Sequence, residues 1–240
     1  MNKHTQTIEE GGVLYIVATP IGNMQDITVR AIDILTTVDV ICAEDTRVAG
    51  KLLKNLEIPH KKLVSVNEFA DAGKIQHVID LLEQGQKIAF ISDAGTPGIS
   101  DPGALLASSV REKDIKIIPI GGISAVTTAL SVAGIRETPF LFYGFLPHKK
   151  GRQKILDSLL AISDVSLIFY ESPHRFIKLL EELIERENES IQLSVTVCRE
   201  LTKIYEDIRQ GSPSDLLAYY EAHKDTIRGE FVLIVRKKSV

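Results

Sequence analysis

Short apolar runs alternate with amphipathic segments through the first half of this chain, and this alternation restricts the fold more than any other feature. Val13–Ala18, Val40–Ala43 and Ile88–Ile91 are apolar runs of strand length. Between them, apolar side chains recur at the spacing that places them on one face of a helix. Strand, helix and strand in repeated order predict a mostly parallel sheet with helices on both faces.

The pattern changes in the second half of the chain. SLIFY is typical of a strand, and Ser172-Pro173 and Ser212-Pro213 each place a cap residue and a proline at the start of a helix. IQLSVTVCRE and KIYEDIRQG indicate neighbouring strands, with antiparallel pairing as one option, and EFVLIV indicates a final strand. We therefore predict two α/β domains, residues 12–120 and 121–240.

Composition excludes several classes of protein. The chain has 240 residues, 44% of them hydrophobic, a formal net charge of −4 and two cysteines. A core of useful size is possible, a global basic field is absent, and Cys42 and Cys198 are expected to be buried free thiols. No apolar run reaches membrane-spanning length, and the polar start lacks a signal-peptide core. We expect a cytoplasmic protein without membrane contact.

Known cofactor and metal motifs are missing. The sequence has no Gly-rich dinucleotide fingerprint, no P-loop and no Gly-x-Ser-x-Gly elbow. It also has no His-Glu-x-x-His and no Cys-x-x-Cys pair, so no metal site is predicted.

Three unusual loops follow predicted strands of the first half. They are Thr19–Asn23, Glu44–Arg47 and the segment SDAGTPGISDPG at residues 92–103. In open α/β sheets, ligands bind at the carboxyl ends of the strands. If these strands are parallel, the three loops converge on one rim, which is where we expect a ligand.

Two of these loops allow a functional and a purely structural interpretation. The glycines of residues 92–103 permit close approach of a ligand, and Asp93 suits a ribose hydroxyl or a cation, yet Asp93 and Asp101 can equally cap turns and the following helix. In Glu44–Arg47, Asp45 or Thr46 can cap a helix. Alternatively, Arg47 binds a phosphate while an acid orients a hydroxyl.

Three charged segments of the second half are further candidates. Tyr170–Arg175 spans a predicted helix N-terminus, where anions bind. Arg199–Lys203 is either a ligand-contacting segment or a polar hairpin connection. His148–Lys154 is a basic loop that is either merely solvated or a contact for a phosphate backbone.

Together these segments resemble a known family. The motifs occur in the order TPIGNMQDITVRA, EDTR, SDAGTPGISDPG, YGFLP, FYESPHR, RELTK and RGEFVLIV. The chain from about residue 12 to 236 is similar to the bacterial small-subunit (16S) ribosomal RNA 2′-O-ribose methyltransferases of the tetrapyrrole-methylase superfamily. The resemblance implies a two-domain class III methyltransferase fold, with a mostly parallel N-terminal sheet and a mixed C-terminal sheet. It further implies S-adenosylmethionine as cofactor, a cytidine of the decoding region as target, a homodimer and no metal.

The resemblance also assigns roles to positions of this chain. The implied cofactor contacts are Pro20, Ile21, Gly22, Asp93, Ala94, Gly95, Thr96, Ser124, Ala125, Tyr170, Glu171, Gly229 and Glu230. The candidate catalytic residues are Glu44, Asp45, Glu171 and Glu200 as acids, with Arg47, Arg175 and Lys203 as cations that hold phosphate or polarise the hydroxyl. The expected RNA contacts are Lys149, Lys150 and Arg152 of the basic loop, together with Arg47, Arg175 and Lys203. None of these residues singles itself out as the general base.

The sequence departs from the family at Gly121-Gly122-Ile123-Ser124, where Pro-Gly-Pro-Ser is usual, so this turn is less pre-organised. Two other functions compete with rRNA methylation. One is a tetrapyrrole or corrinoid methylase of the same superfamily, which the motifs EDTR, FYESPHR and RELTK disfavour. The other is a non-catalytic RNA-binding factor for ribosome assembly.

Overall fold

A computed structural model describes residues 11–59, 61–67, 72–135 and 139–238. The chain forms two compact units, Met1–Ser124 and Ala125–Val240. The division follows Ser124, whereas the sequence analysis places it between residues 120 and 121. Part of the segment SVNEFAD lies outside the described residues.

The first unit contains a five-stranded sheet in which every pair of neighbouring strands is parallel. Its strands are β1 (Val13–Val17), β2 (Val40–Ala43), β3 (Lys62–Ser65), β4 (Lys87–Ile91) and β5 (Lys116–Ile120). They are ordered β3-β2-β4-β1-β5. The predicted parallel sheet is therefore confirmed, and the carboxyl ends of all five strands lie at one edge.

Helices cover both faces of this sheet because side chains alternate along each strand. The helices are α1 (Val29–Thr37), α2 (Thr46–Asn55), α3 (Ala72–Glu83) and α4 (Gly103–Arg111). Tyr15 and Ile41 pack in one buried cluster with residues of α1 and α2. Leu14 and Phe90 pack in the other cluster with residues of α3 and α4. Strands buried on both faces explain the nearly continuous apolar runs of the sequence.

The second unit contains a mixed five-stranded sheet, as expected from the resemblance. Its elements are α5 (Ala125–Val132), β6 (Phe140–Phe145), α6 (Arg152–Ala161), β7 (Ser166–Glu171), α7 (Pro173–Ile184), β8 (Leu193–Arg199), β9 (Asp207–Gly211), α8 (Pro213–Ala222) and β10 (Phe231–Lys237). The order is β6-β7-β10-β8-β9, in which only β6 and β7 pair in parallel. Residues of α6, α7 and α8 share one buried core with this sheet.

Both predicted Ser-Pro helix starts are present. Ser212 caps α8 in a reciprocal capping box with Asp215. Ser172 is the N-cap of α7, but its side chain makes no capping hydrogen bond, and its hydroxyl instead accepts one from Nε of Arg175 at 3.4 Å. The strands β8 and β9 are antiparallel neighbours.

Cys42 and Cys198 are buried and unpaired, as predicted. Within the described ranges, no helix combines the length and the apolar character needed to cross a membrane.

Candidate functional site

Three loops at the carboxyl edge of the first unit's sheet are joined directly to one another. Thr19, after β1, exchanges backbone hydrogen bonds with Gly95, after β4, at 2.9 and 3.0 Å. The hydroxyl of Thr96 donates to the carbonyl of Ile123, after β5, at 3.0 Å. Two of the three loops whose convergence the sequence predicts, those after β1 and β4, are thus hydrogen-bonded to each other, and the loop after β5 joins them.

Glycine is required at the meeting point of these loops. Gly95 has φ +80, and a Cβ there would lie 3.2 Å from Cγ2 of Ile21. A Cβ at Gly122 would lie 2.8 Å from that of Ala18. A larger residue at either position would push the loops apart, so glycine is what lets them pack this closely.

Asp101 shapes the long loop from within. Its carboxylate accepts hydrogen bonds from the backbone N–H groups of Gly98, Ile99 and Gly103 at 2.7–3.1 Å. For Asp101 the turn-capping interpretation is therefore correct.

A polar pocket lies at the ends of β2, β3 and β4. It has a volume of about 400 Å³. Its lining residues are Glu44, Asp45, Thr46, Arg47, Ser65, Asn67 and Asp93. Asp93 links this pocket to the loop of residues 92–103, and its Oδ1 accepts the backbone N–H of Asp45 at 3.1 Å. The pocket therefore adjoins the joined loops through a shared carboxylate.

Asp45 and Arg47 form a close pair at the start of α2. Asp45 is the N-cap, and its carboxylate accepts the backbone N–H of Arg47 at 2.8 Å and the guanidinium N–H groups at 2.6–3.1 Å. Hydrogen bonds from Arg47 lower the pKa of Asp45 to about 2. The Arg47 side chain remains 86% exposed. Asp45 is thus an ionised cap that holds Arg47, which makes it a weak proton acceptor.

Asp93 differs from Asp45 in its electrostatics. Desolvation raises the pKa of Asp93, and the charge of Asp45 adds to the rise, while the Asp45 N–H and Arg47 oppose it. Of these two pocket acids, Asp93 is the better proton acceptor near neutral pH.

In the second unit, the end of β7 carries a buried charge network. The side chains of Arg152 and Glu171 are 2% and 0% exposed. Glu171 accepts from Arg152 at 3.3 Å, from Nη2 of Arg175 at 2.8 Å and from the Ser172 N–H at 2.9 Å. Arg152 also pairs through Nε with Glu182 at 2.8 Å. A carboxylate held in this way orders the surrounding chain and is closed to a substrate hydroxyl.

The side chains of the basic loop are only partly exposed to solvent as expected. His148, Lys149 and Lys150 are exposed, but Arg152 is buried. The assignment of Arg152 to an exposed RNA-contacting surface is therefore wrong, because its guanidinium is occupied by Glu171 and Glu182.

A second charged cluster lies between the β8–β9 connection and the start of β10. Nζ of Lys203 donates to Glu200 at 2.7 Å and to Glu230 at 2.6 Å, and Glu200 accepts the Glu230 N–H at 3.0 Å. Desolvation lowers the pKa of Lys203, but the two glutamates outweigh it and the pKa is raised overall. Gly229 has φ +82, and a Cβ there would lie 2.2 Å from the Glu200 carboxylate.

Tyr170 lies at the end of β7, beside the rings of Phe142 and Phe145. Burial raises the pKa of its phenol to about 12, and Glu230 adds to the rise. Tyr170 is therefore a neutral hydrogen-bonding group at physiological pH.

The predicted site residues fall into two sets. The joined loops and the pocket of the first unit hold Pro20, Ile21, Gly22, Glu44, Asp45, Arg47, Asp93, Ala94, Gly95, Thr96 and Ser124. The second unit holds Ala125, Lys149, Lys150, Arg152, Tyr170, Glu171, Arg175, Glu200, Lys203, Gly229 and Glu230. Ser65 and Asn67 in the pocket and Glu182 in the buried network were not predicted from the sequence. Ser65 and Asn67 could have been predicted, because they are polar residues at the end of β3, where ligands of a parallel sheet bind.

Comparison with known proteins defines the class of the molecule. The sequence profile of the Tetrapyrrole (Corrin/Porphyrin) Methylases matches residues 13–217. The chain belongs to this family, and the two-unit fold with joined strand-end loops is the fold of a methyltransferase of that class.

The relatives are more specific. A protein of Borrelia garinii subsp. bavariensis named Ribosomal RNA small subunit methyltransferase I is 44% identical over 228 residues, which are 95% of this chain and 100% of the relative. A protein of Escherichia coli O157:H7 with the same name is 42% identical over 236 residues, covering 98% of this chain and 81% of the relative. The branch that the seven motifs indicated is thereby confirmed.

Solved structures agree in fold. A crystal structure of diphthine synthase matches with a TM-score of 0.72 and 13% identity, covering 95% of this chain and 91% of that one. Uroporphyrin-III-C-methyltransferase from Thermus thermophilus matches with a TM-score of 0.61 and 20% identity, covering 94% of each chain. At such identities the likeness shows the fold alone.

Proposed function

We propose that this protein transfers a methyl group from S-adenosylmethionine to the ribose 2′-hydroxyl of a cytidine in the decoding region of 16S rRNA. The observation that carries the proposal is the identity of 40–44% with proteins named Ribosomal RNA small subunit methyltransferase I, over 93–98% of this chain. We place the cofactor at the joined loops of the first unit and the reacting hydroxyl at its polar pocket.

The residues at the joined loops suit an adenosyl cofactor. Gly95 and Gly98 have positive φ, and the carbonyls and N–H groups of such a glycine-rich loop can contact a flat, polar nucleoside. The first unit would hold the cofactor through Pro20, Ile21, Gly22, Asp93, Ala94, Gly95, Thr96 and Ser124. The resemblance names Ala125, Tyr170, Gly229 and Glu230 in the second unit as further candidate contacts. We leave Glu171 out as a direct contact because its side chain is wholly buried.

S-adenosylmethionine, when bound, supplies an electrophilic methyl carbon, whose bond to sulfur breaks as its bond to the ribose oxygen forms. The protein must place the hydroxyl and accept its proton. In the pocket, Asp93 and Glu44 are the proposed acceptors, since Asp45 is held by Arg47. Asp93→Asn and Glu44→Gln should slow single-turnover methylation more than Asp45→Asn does, and equal effects of all three would contradict this assignment.

RNA affinity would come from exposed cations. The proposed contacts are Lys149 and Lys150 in the basic loop, with Arg47 in the pocket. Arg175 and Lys203 are partly exposed and complete the set. Because phosphate contacts release counterions, binding of small ribosomal subunits should weaken steeply as salt rises. A flat salt response would contradict this surface.

We also propose that the protein is a homodimer and acts in the cytoplasm, where its proposed substrate is made. Exposed apolar side chains at the two edge strands support self-association: Phe140 and Phe145 on β6, Ile208 on β9, and Tyr205 just before it. Sedimentation at several concentrations should give the mass of a dimer, and a monomer at every concentration would contradict it. Among the described residues, no cluster of potential metal ligands is present.

Label transfer tests the activity. Protein and methyl-labelled S-adenosylmethionine are incubated in three separate reactions. The substrate is small ribosomal subunits in the first, free 16S rRNA in the second and uroporphyrinogen in the third. Calorimetry with the cofactor alone accompanies each preparation. We expect cofactor binding and label in RNA. Label in the porphyrinoid would show the tetrapyrrole methylase instead, and RNA binding without label would show the assembly factor.

A further inference from the structure

Buried charges at the end of β7 surround the base of the basic loop. Nη1 of Arg175 donates to the carbonyl of Leu146 at 2.9 Å, and Nη1 of Arg152 donates to the carbonyl of Pro147 at 3.4 Å. These two carbonyls directly precede His148, the first exposed residue of the loop. Both guanidinium groups also hold Glu171. One buried carboxylate therefore fixes two arginines, and these arginines in turn bind the two carbonyls that precede the loop.

The other end of the loop is fixed by the same network. Gly151 has φ +83 and is the N-cap of α6, so the chain turns sharply just before Arg152. This turn leaves Lys149 and Lys150 exposed while Arg152 points inward to Glu171 and Glu182. The exposed lysines thus lie between two anchored points.

Burying so many charges is not an efficient means of stabilising a fold. Desolvation of an ion pair can cancel its attraction, and apolar residues of the same volume often do as well. A buried, fully paired network does specify one conformation. Here Arg152 makes contacts to both carboxylates and to Pro147, which only a planar, multidentate guanidinium can make together.

We propose that Arg152 is a positioning residue for RNA binding: it acts through the network to hold Lys149 and Lys150 where they meet phosphates. This inference rests on the proposed function. Arg152 itself contacts no RNA. Its loss should therefore remove the contribution of the two lysines although both are still present.

A double-mutant cycle separates positioning from general destabilisation. The affinity of purified small ribosomal subunits is measured from low to moderate salt for wild type, Arg152→Gln, a variant with both loop lysines replaced by alanine, and the combination. If two phosphate contacts are lost, the log–log salt slope falls by about 1.5. We expect this fall in both parent variants and no further fall in the combination. Independent, additive losses, or an unchanged slope for Arg152→Gln, would overturn the proposal.

Arg186→Gln is the matched control. Arg186 is also an ion-paired arginine of this region, hydrogen-bonded to Asp157 at 2.7 Å, to the Glu182 carbonyl at 2.6 Å and to the side chain of Gln153. Among the described residues, none of its hydrogen bonds goes to Leu146 or Pro147. Its salt slope should stay at the wild-type value. Arg152→Lys serves as a second variant should Arg152→Gln fail to fold. It keeps the charge but not the planar, multidentate guanidinium, and it should show part of the same fall in salt slope.

The outcomes also separate this inference from the proposed function. If wild-type protein binds small subunits without salt dependence, or not at all, both fail. If it binds and the loop lysines matter while Arg152→Gln adds its own independent loss, only the positioning role fails.

Discussion

Asp101→Ala tests how the long loop of the first unit keeps its shape. The Asp101 carboxylate is the acceptor for three backbone N–H groups, those of Gly98, Ile99 and Gly103, at 2.7–3.1 Å. Hydrogen bonds to a charged group contribute about 1.5–3 kcal/mol each when buried. Asp101 is partly buried, and water can replace part of the loss. We therefore expect a loss of about 2–3 kcal/mol in the free energy of unfolding of the first unit.

The same change should weaken cofactor binding. Without its own carboxylate, the loop must be ordered by the ligand when the ligand binds. Ordering the loop costs free energy, and each cost of about 1.4 kcal/mol weakens the affinity tenfold. Calorimetry should give an S-adenosylmethionine affinity weaker by roughly 10- to 30-fold. Urea unfolding gives the stability change.

Glu112→Ala is the control, since it removes an exposed carboxylate at the other end of α4. Asp101→Asn keeps one carbonyl acceptor, so its loss of stability and of affinity should lie between those of Asp101→Ala and Glu112→Ala. A stability change under about 0.5 kcal/mol for Asp101→Ala, together with unchanged cofactor affinity, would refute the argument.

Three further outcomes follow from local geometry. Gly229→Ala places a Cβ 2.2 Å from the Glu200 carboxylate at φ +82, so thermal unfolding should show a loss of about 1–2 kcal/mol; Gly211→Ala, with contacts no closer than 3.5 Å, should show much less, and equal effects would contradict the strain. Burial raises the pKa of both cysteines to about 12, so native protein at pH 8 should resist a thiol reagent that labels it after unfolding; rapid native labelling would contradict this burial. The pKa of Asp45 is lowered to about 2 by Arg47, so its stabilising contribution is present above the ordinary value of 3.8 and is lost as the pH falls through about 2; an NMR titration midpoint near 3.8 would contradict the pairing.

The strand-end loops could be predicted from the sequence because the signal is local. Apolar runs set the strands, glycines and acids follow each run, and a parallel sheet brings its carboxyl ends to one edge. Asp101 required the structure, because its three N–H donors depend on the exact path of the loop. Both interpretations of that residue were compatible with the residue types alone.

The burial of Arg152 could not be predicted from local pattern. In HKKGRQK it has basic neighbours and resembles one more solvated charge. Its partners Glu171 and Glu182 are 19 and 30 residues away, in β7 and α7, and they reach it only when the sheet and helices pack. Long-range pairing of charges overrides local composition here, whereas the exposed Lys149 and Lys150 follow it.

The position of the transferred methyl group most directly tests the central claim, which is methylation of a cytidine ribose in 16S rRNA. Small ribosomal subunits are methylated with labelled S-adenosylmethionine, the RNA is digested to nucleosides, and the label is identified by mass spectrometry. We predict label in 2′-O-methylcytidine from the decoding region, and slower labelling at that nucleotide with Asp93→Asn. Label on a base, or no label in RNA from protein that binds the cofactor, would contradict it.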